Sequence, residues 1–370
     1  MKLTTERDML VKAFTRLSRI VERRTTVPIL SNIALIAEGD SLRLRATDLD
    51  IEATDILNVE IDEPGSITVQ AHLFADILKK LPARARITLA KEEHVVTIQS
   101  GRTHFKLQAL PIEDFPDFDI GSFSHAFDVP RASFKRMIDK VEFSISTEET
   151  RYYLNGIYFH AAQGADSMCL RGVATDGHRL ARLDTPLPEG AEDMPGVIIP
   201  RKTVAEIGKL IEDGEGDIHV ELSSSKIRLT FGTVVLTSKL IDGTFPDYLR
   251  VIPTGNDKTL TVPREAFIAA VERVSTVEVD KGRALKMNLV ENAATLTMAH
   301  PDSGIATEET EVRYEDDPIE LGFNNRYLAG ILGKIDADEA IIKMGDSGTP
   351  TIFHAYEGAD ALFVLMPMRV

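Results

Sequence analysis

The sequence predicts an α+β fold built from three tandem copies of one domain, each with two helices packed on antiparallel sheets. Three features recur at intervals of roughly one third of the chain: a strand that leads into a helix, a second helix, and a closing hairpin. Such repeats dictate the architecture before any motif is interpreted. The length of 370 residues also exceeds what one core supports. We place the domains at residues 1–121, 122–252 and 253–370.

Each copy opens on a strand followed by an amphipathic helix. The three openings begin at Leu3, Phe127 and Leu260. Pro130 and Pro263 are predicted to lie in the first turn of their helices, where the missing N–H would have had no partner.

The remainder of each copy is a second helix and a hairpin. The second helices are predicted around 71–81, 200–211 and 324–335. Residues with period-2 alternation flank a glycine turn in each closing segment, which is typical of a hairpin. The hairpins are predicted over 95–107, 227–239 and 351–365.

One short stretch, 174–178, reads Ala-Thr-Asp-Gly-His and resembles a reactive turn. The same Ala-Thr-Asp core recurs at 46–48, and a fainter third copy runs from Leu296 to Asp302. Because the feature repeats with the domains, we interpret it primarily as a structural element of each domain. Domain 1 carries Leu-Asp at the positions of Gly177 and His178, so we expect only the second copy to be adapted for binding.

Composition excludes several classes of protein. The chain is 43% hydrophobic and 27% charged, which is ordinary for a soluble globular protein. Its N-terminus does not read as a signal peptide, and no apolar run approaches 18 residues. The single cysteine, Cys169, agrees with a reducing compartment. We therefore expect a cytoplasmic protein that is not embedded in a membrane.

The net charge of −16 argues, as a single number, against nucleic acid as a partner. The first helix nevertheless carries a basic stripe opposite its apolar face. The stripe consists of Lys12, Arg16, Arg19 and Arg23, and the apolar face of Leu10, Ala13, Phe14, Leu17 and Val21. Either this stripe is a solvated helix face, or it is a surface that contacts phosphates without reading base sequence.

Four motifs resemble the bacterial DNA polymerase III beta subunit family, the sliding clamps, in the order in which that family has them. They are Arg151-Tyr152-Tyr153-Leu154-Asn155-Gly156, the stretch that opens at Ala174, Thr237-Ser238-Lys239-Leu240 followed by Phe245-Pro246-Asp247-Tyr248, and Met366-Pro367-Met368-Arg369. The resemblance spans the whole chain.

The resemblance implies three sliding-clamp domains per chain and a homodimer that closes head to tail into a six-domain ring around duplex DNA. It also implies a processivity factor, an accessory and non-catalytic subunit. The residues it places at DNA are Arg24, Arg151, Tyr152 and Tyr153, beside the basic stripe. The preceding Glu148 and Glu149 depart from a surface that attracts DNA.

The resemblance further implies a hydrophobic pocket where short linear motifs dock. Its expected partners are the DNA polymerase III catalytic subunit, the clamp loader, other polymerases and mismatch-repair proteins. The pocket residues it implies are Leu154, Thr175, Gly177, His178, Arg179, Leu180, Pro246, Arg250, Val251, Asn324, Tyr327, Val364, Leu365, Met366, Pro367, Met368 and Arg369.

Two sets of residues also fit the order or the chemistry of catalytic groups. His178, Asp242 and Ser347 follow the order of a trypsin-like protease, and Cys169 with His178 could form a thiol pair. Neither set has the surroundings that its chemistry needs. The sequence has no phosphate-binding Gly-x-x-x-x-Gly-Lys-[Ser/Thr] segment, and its nine histidines show no metal-ligand spacing. We expect no catalytic residue, metal or cofactor; the alternative to a clamp is a dimeric scaffold that binds peptides without DNA.

Overall fold

A computed structural model describes residues 1–211, 216–278 and 284–370 of the protein. Each third of the chain begins with a strand that leads directly into a helix, as predicted. The second helices and the closing hairpins also lie where the repeats predict them.

The first third of the chain forms β1 (Lys2–Glu6), α1 (Arg7–Leu17), β2 (Asn32–Glu38), β3 (Ser41–Thr47), β4 (Ile51–Asn58), β5 (Glu60–Glu63), β6 (Gly65–Gln70), α2 (Ala71–Lys80), β7 (Arg86–Glu92), β8 (Val95–Ser100) and β9 (Thr103–Gln108).

The middle third forms β10 (His125–Pro130), α3 (Arg131–Val141), β11 (Gly156–Gln163), β12 (Met168–Thr175), β13 (Arg179–Pro186), β14 (Val197–Pro200), α4 (Arg201–Ile211), β15 (Asp217–Leu222), β16 (Lys226–Phe231) and β17 (Val234–Lys239).

The last third forms β18 (Lys258–Pro263), α5 (Arg264–Val274), β19 (Ala284–Val290), β20 (Ala293–His300), β21 (Gly304–Glu311), β22 (Ile319–Asn324), α6 (Asn325–Leu332), β23 (Glu339–Met344), β24 (Thr351–His354) and β25 (Ala361–Leu365).

The chain divides into two compact units. Unit 1 comprises Met1–Arg131, Glu189–Met194 and Ala205–Leu240. Its antiparallel sheets have the strand orders β5-β1-β7-β8-β9 and β10-β15-β16-β17-β4-β3-β2-β6. In the second sheet β4 pairs with β17, so backbone hydrogen bonds join the first third of the chain to the middle third.

Unit 2 comprises Ala132–Pro188, Pro195–Val204 and Ile241–Val370. Its antiparallel sheets have the orders β14-β11-β12-β13-β25-β24-β23-β18 and β21-β20-β19-β22. Here β13 pairs with β25, and Leu180 lies opposite Val364. This pairing joins the middle third to the last third, and it positions the site described below.

Helices bury their apolar faces in each unit. In unit 1, Phe14 of α1 stacks on Phe74 of α2 with ring centroids 4.5 Å apart. In unit 2, α5 buries Phe267, Ala270 and Val271 on one face. The 3.6-residue period of apolar positions is therefore satisfied by packing within the unit.

The two prolines lie one position earlier than predicted. Pro130 is the last residue of β10, and Pro263 ends β18 as the residue that precedes α5. Pro263 has an extended backbone, with φ −67° and ψ 107°, and the first helical residue is Arg264. Proline therefore ends the strand here, because its fixed φ suits both the strand end and the approach to a helix.

The Ala-Thr-Asp stretch forms the same turn in both units. In unit 2, the Thr175 hydroxyl donates to the carbonyl oxygen of Arg179 at 2.7 Å, and the Asp176 carboxylate accepts from the backbone N–H groups of His178 and Arg179. In unit 1, the Thr47 hydroxyl donates to the carbonyl oxygen of Ile51 at 2.9 Å. The two copies therefore share a backbone conformation as well as a sequence.

The matching hydrogen bonds in unit 1 run from the backbone N–H groups of Asp50 and Ile51 to the carboxylate of Asp48. In the third copy, the backbone N–H of Asp302 donates to Nδ1 of the His300 ring.

Both turns require a left-handed residue at the same place. Gly177 has φ +89°, and Leu49 has φ +81°. This conformation costs a residue with a Cβ about 1–2 kcal/mol. Domain 1 thus keeps a strained leucine where domain 2 has a glycine.

We expect the substitution Leu49→Gly to raise the free energy of unfolding by roughly 0.5–1 kcal/mol, because relief of the strain exceeds the entropy gained by the unfolded glycine. The substitution Gly177→Ala should lower it by about 1 kcal/mol. Urea unfolding measures both. A loss of stability in Leu49→Gly would contradict the equivalence of the two turns.

Candidate functional site

A cavity of about 150 Å³ lies in unit 2 and is lined mainly by apolar side chains. We call it the apolar pocket. Its apolar walls are Leu154, Leu180, Pro246, Val251, Val364 and Met366. The polar residues on its wall are Thr175, His178, Arg179 and Asp247, and Gly177 and Tyr248 complete it.

Strand pairing brings these residues together from distant parts of the chain. Leu180 of β13 and Val364 of β25 are opposite one another in the ladder and are both buried. Beyond the end of β25, the backbone N–H of Met366 donates to the carbonyl oxygen of His178 at 2.9 Å. The C-terminal segment is therefore held against the Gly177 turn, and together they form one rim of the pocket.

Tyr248 forms part of the wall and is anchored from behind by a buried polar network. Its hydroxyl accepts a hydrogen bond from Arg171 at 3.1 Å and lies 3.2 Å from Nε2 of His160. Arg171 in turn donates two hydrogen bonds to Asp184, at 2.6 and 2.7 Å. Because Tyr248 lies in the segment that follows β17, this network fixes that segment against the sheet.

The network has a defined protonation pattern. Burial alone would lower the pKa of Arg171, but its hydrogen bonds to Asp184 and Tyr248 raise that pKa above its usual value. Burial lowers the pKa of His160. A neutral His160 that donates from Nδ1 to the carbonyl oxygen of Ala161, 2.9 Å away, presents Nε2 as an acceptor for the Tyr248 hydroxyl.

Arg179 is held firmly at the pocket rim. Its guanidinium lies 4.2 Å from the ring centroid of Tyr327 and 4.9 Å from that of Phe143, and its Nε donates to Asp176 at 3.1 Å. Cation–π contacts of this kind are worth about 0.5–2 kcal/mol each. The side chain is therefore pre-positioned, and little of its freedom is lost when a ligand binds.

The pocket residues implied by resemblance fall into two groups. Those on the cavity wall are Leu154, Thr175, Gly177, His178, Arg179, Leu180, Pro246, Val251, Val364 and Met366. Those that the structure places outside the wall are Arg250, Asn324, Tyr327, Leu365, Pro367, Met368 and Arg369.

The second group has other contacts. Leu365 is buried and points to the opposite face of the sheet from Val364, as strand alternation requires. Asn324 caps α6 by accepting from two backbone N–H groups. Arg250 is exposed and pairs with Asp247 at 2.8 Å. Tyr327 lies behind Arg179, and its ring is 6.5 Å from that of His178.

Two wall residues, Asp247 and Tyr248, were missing from the sequence-based set. Both residues belong to the Phe245-Pro246-Asp247-Tyr248 motif that carries the family resemblance, so the signal was present. What the sequence could not supply was the partner of the Tyr248 hydroxyl, because Arg171 lies 77 positions earlier in the chain.

The candidate DNA residues in the loop before β11 are partly engaged within the protein. Arg151 donates to both carboxylate oxygens of Glu148, at 2.7 and 2.6 Å. These hydrogen bonds lower the pKa of Glu148. Tyr152 is exposed, whereas Tyr153 packs against the cluster behind the apolar pocket. Glu148, which departs from a surface that attracts DNA, thus holds the arginine directly.

The basic stripe on the first helix is shorter than predicted. Helix α1 ends at Leu17, so Arg19, Arg23 and Arg24 lie in the irregular segment that follows. They remain exposed there, as does Lys12. The stripe does not continue because the helix ends at Leu17, with Ser18 as its C-cap. The apolar spacing, which continues to Val21, does not reveal this end.

Arg16 is also not part of an open basic face. It lies 3.3 Å from the carboxylate of Asp55, which is fully buried and also accepts from the Thr233 hydroxyl at 2.8 Å. Arg16 is therefore a structural counter-ion for a buried carboxylate.

The enzymatic readings find no support in the geometry. Cys169 is buried, and burial raises the pKa of its thiol, which opposes a thiolate. His178 lines the apolar pocket, whereas Ser347 lines a separate polar cavity beside Asn256 and Lys258. Among residues 1–211, 216–278 and 284–370, no His, Cys, Asp and Glu side chains cluster as metal ligands do. No helix in these ranges is long and apolar enough to cross a membrane.

Comparison with known protein families gives matches along the whole chain. The profile of the DNA polymerase III beta subunit N-terminal domain matches residues 1–119. The central-domain profile of the same subunit matches 128–247, and the C-terminal-domain profile matches 249–369.

Individual proteins give the same result. The beta sliding clamp of Caulobacter vibrioides is 46% identical over 372 residues, covering all of both chains, and that of Escherichia coli is 35% identical over 371 residues. The solved DNA polymerase III subunit beta sliding clamp of Bartonella birtlesii, bound to griselimycin, superposes with a TM-score of 0.97 at 49% identity over all of both chains.

Two of the unit 1 arginines that were assigned to DNA, Arg16 and Arg24, should respond differently to substitution. Arg16→Gln should lower the free energy of unfolding by about 1–3 kcal/mol, because it leaves the buried Asp55 carboxylate without its counter-ion. Arg24→Gln, at an exposed position, should change it by less than about 0.5 kcal/mol. Urea unfolding of both variants tests this, and equal stabilities would contradict the structural role of Arg16.

Proposed function

Because the chain belongs to the DNA polymerase III beta subunit family, the beta sliding clamps, we propose that its apolar pocket is the docking site through which a clamp on DNA recruits its partners. The chain is a DNA sliding clamp, a processivity factor that encircles duplex DNA and tethers a polymerase. It is an accessory subunit and not a catalytic one. The single observation that carries the proposal is the apolar pocket itself, bordered by pre-positioned polar groups.

The pocket has the properties of a peptide site. It offers apolar walls, an adaptable Met366 and the oriented guanidinium of Arg179. A site of this kind binds a short motif through a few anchors, with a dissociation constant on the order of micromolar. The clamp of B. birtlesii binds griselimycin, and we expect the same compound to compete for this pocket.

The partners follow from one shared site. We propose that the catalytic subunit of DNA polymerase III, the clamp loader, other polymerases and mismatch-repair proteins each present a short linear motif to the apolar pocket. A single pocket per chain makes their binding mutually exclusive on that chain. Because the protein slides on duplex DNA, we propose that it acts in the cytoplasm.

Sheet edges support closure of the homodimer into a ring. Within the described ranges, β9 pairs only with β8, and β21 pairs only with β20. Ile305 of β21 is 73% exposed. We propose that β9 of one protomer, around Phe105, meets β21 and the neighbouring segment at Val277 of its partner. Head-to-tail contacts that close in this way produce a ring.

Contacts to DNA need only be weak in such a ring, because topology prevents escape. We propose that exposed Lys12, Arg19, Arg23, Arg24 and Tyr152 contribute phosphate contacts. Arg151 would join them once DNA draws it from Glu148.

Encirclement has a topological signature. After loading, the protein should be retained on nicked circular DNA and lost when the circle is linearised, because a ring slides off an open end. Gel filtration of the DNA–protein complex measures retention. Linear DNA with bulky proteins on both ends is the control and should keep the ring. Equal retention on circular and open linear DNA would refute encirclement.

The C-terminal segment should be required for partner binding. Deletion of residues 366–370 should abolish binding of a polymerase peptide and leave the dimer intact, because it removes the Met366 rim. Fluorescence anisotropy measures the peptide affinity. An unchanged affinity would refute the assignment of the pocket.

Two matched single substitutions distinguish the loss of a contact at the pocket from a general effect of removing a methionine side chain. Met366→Ala should weaken the peptide about three- to tenfold. Met168→Ala removes a methionine of similar exposure that does not line the pocket, and it should leave the affinity unchanged.

A further inference from the structure

A second cavity, of about 280 Å³, lies in unit 2 next to the apolar pocket. We call it the basic cavity. Its charged and titratable lining consists of Arg182, Lys343, His354 and Glu357. Pro253, Ile352 and Leu362 are among the other residues on its wall.

The two cavities lie next to each other along one face of a sheet. On β13, Leu180 lines the apolar pocket and Arg182 the basic cavity. On β25, the corresponding residues are Val364 and Leu362, which are opposite Leu180 and Arg182 in the ladder. Side chains two positions apart on a strand share a face and lie roughly 7 Å apart. An extended peptide that fills the first cavity therefore reaches the second within about two residues.

The basic cavity holds one guanidinium whose charge is poorly compensated. Nε of Arg182 is buried without a hydrogen-bond partner and lies 3.7 Å from Asp184. Asp184 already accepts two short hydrogen bonds from Arg171. Burial lowers the pKa of Arg182, as expected for a charge that lacks compensation.

The other charges of the cavity compensate one another around an exposed carboxylate. Glu357 lies 2.7 Å from Nζ of Lys343 and 3.7 Å from Nε2 of His354. Its side chain is 72% exposed, so this pair is screened and readily exchanged for another carboxylate. Arg182 is the excess positive charge, in a protein whose net charge is −16.

We propose that the basic cavity binds a carboxylate of the same partner peptide whose apolar anchor occupies the apolar pocket. The carboxylate is either an acidic side chain about two residues from the anchor or the C-terminus of a peptide that ends there. This inference rests on the function proposed above, and it adds a specificity rule: partners with an acid at that position bind this clamp more tightly.

The test uses one clamp-binding segment from the same organism's DNA polymerase III catalytic subunit, trimmed to its apolar anchor and extended by two residues. The neutral probe ends in Gly-Gln with an amide cap. The side-chain probe ends in Gly-Glu with an amide cap, and the terminal probe ends in Gly-Gln with a free carboxylate. Isothermal titration calorimetry of the full-length dimer gives each dissociation constant.

At least one acidic probe should bind about five- to tenfold more tightly than the neutral probe, as expected for a charge-assisted hydrogen bond at a half-open site. The probe that gains identifies the source of the carboxylate. Arg182→Gln should remove the gain and leave the affinity of the neutral probe unchanged. Arg313→Gln, which removes an equal charge from an exposed position in unit 2, should keep the gain.

A second variant, which should have the opposite effect on affinity, keeps the test valid if substitution of Arg182 perturbs folding. Glu357→Gln releases Lys343 and His354, so it should increase the gain of the acidic probe. Equal affinities of all three probes for the unmodified protein would overturn this inference and leave the apolar pocket standing. Failure of every probe to bind, with or without a carboxylate, would overturn the proposed docking function and this inference with it.

Discussion

The edges of the sheets are the constraint on which the rest of the structure depends. An antiparallel sheet leaves N–H and C=O groups of its outermost strands without partners, and proteins must cover or pair them. Within each unit, strands from different thirds of the chain pair with one another, β4 with β17 and β13 with β25, so that none of these four is an edge strand. Among the strands that remain at sheet edges are β9 and β21, which we propose are paired across the interface of the homodimer.

The pairing of β13 with β25 also creates the apolar pocket. Because β13 and β25 come from different thirds of the chain, their meeting brings the Gly177 turn next to the C-terminal segment. In domain 1 the equivalent turn keeps the same hydrogen bonds but carries Leu49 at the glycine position. The docking function that we propose is thus added to a repeated turn whose backbone conformation stays the same.

The sequence was sufficient for the fold because each local signal repeats. Strand-helix openings, second helices and glycine hairpins recur, so errors at one copy are corrected by the others. The sequence did not predict the contacts of residues whose role depends on one partner far away in the chain. The pairing of Arg16 with Asp55, the contact of Tyr248 with Arg171 and the lining of the basic cavity all join residues far apart in the chain. The end of α1 at Leu17 was missed because apolar spacing continues through the turn.

The mass of the protein in solution tests the account most directly, because encirclement of DNA requires a closed ring of two chains. Multi-angle light scattering at micromolar concentration should give twice the chain mass of 40.9 kDa. A stable species at the mass of one chain would contradict the account, since it would leave the edges at β9 and β21 without a partner and the DNA without a ring.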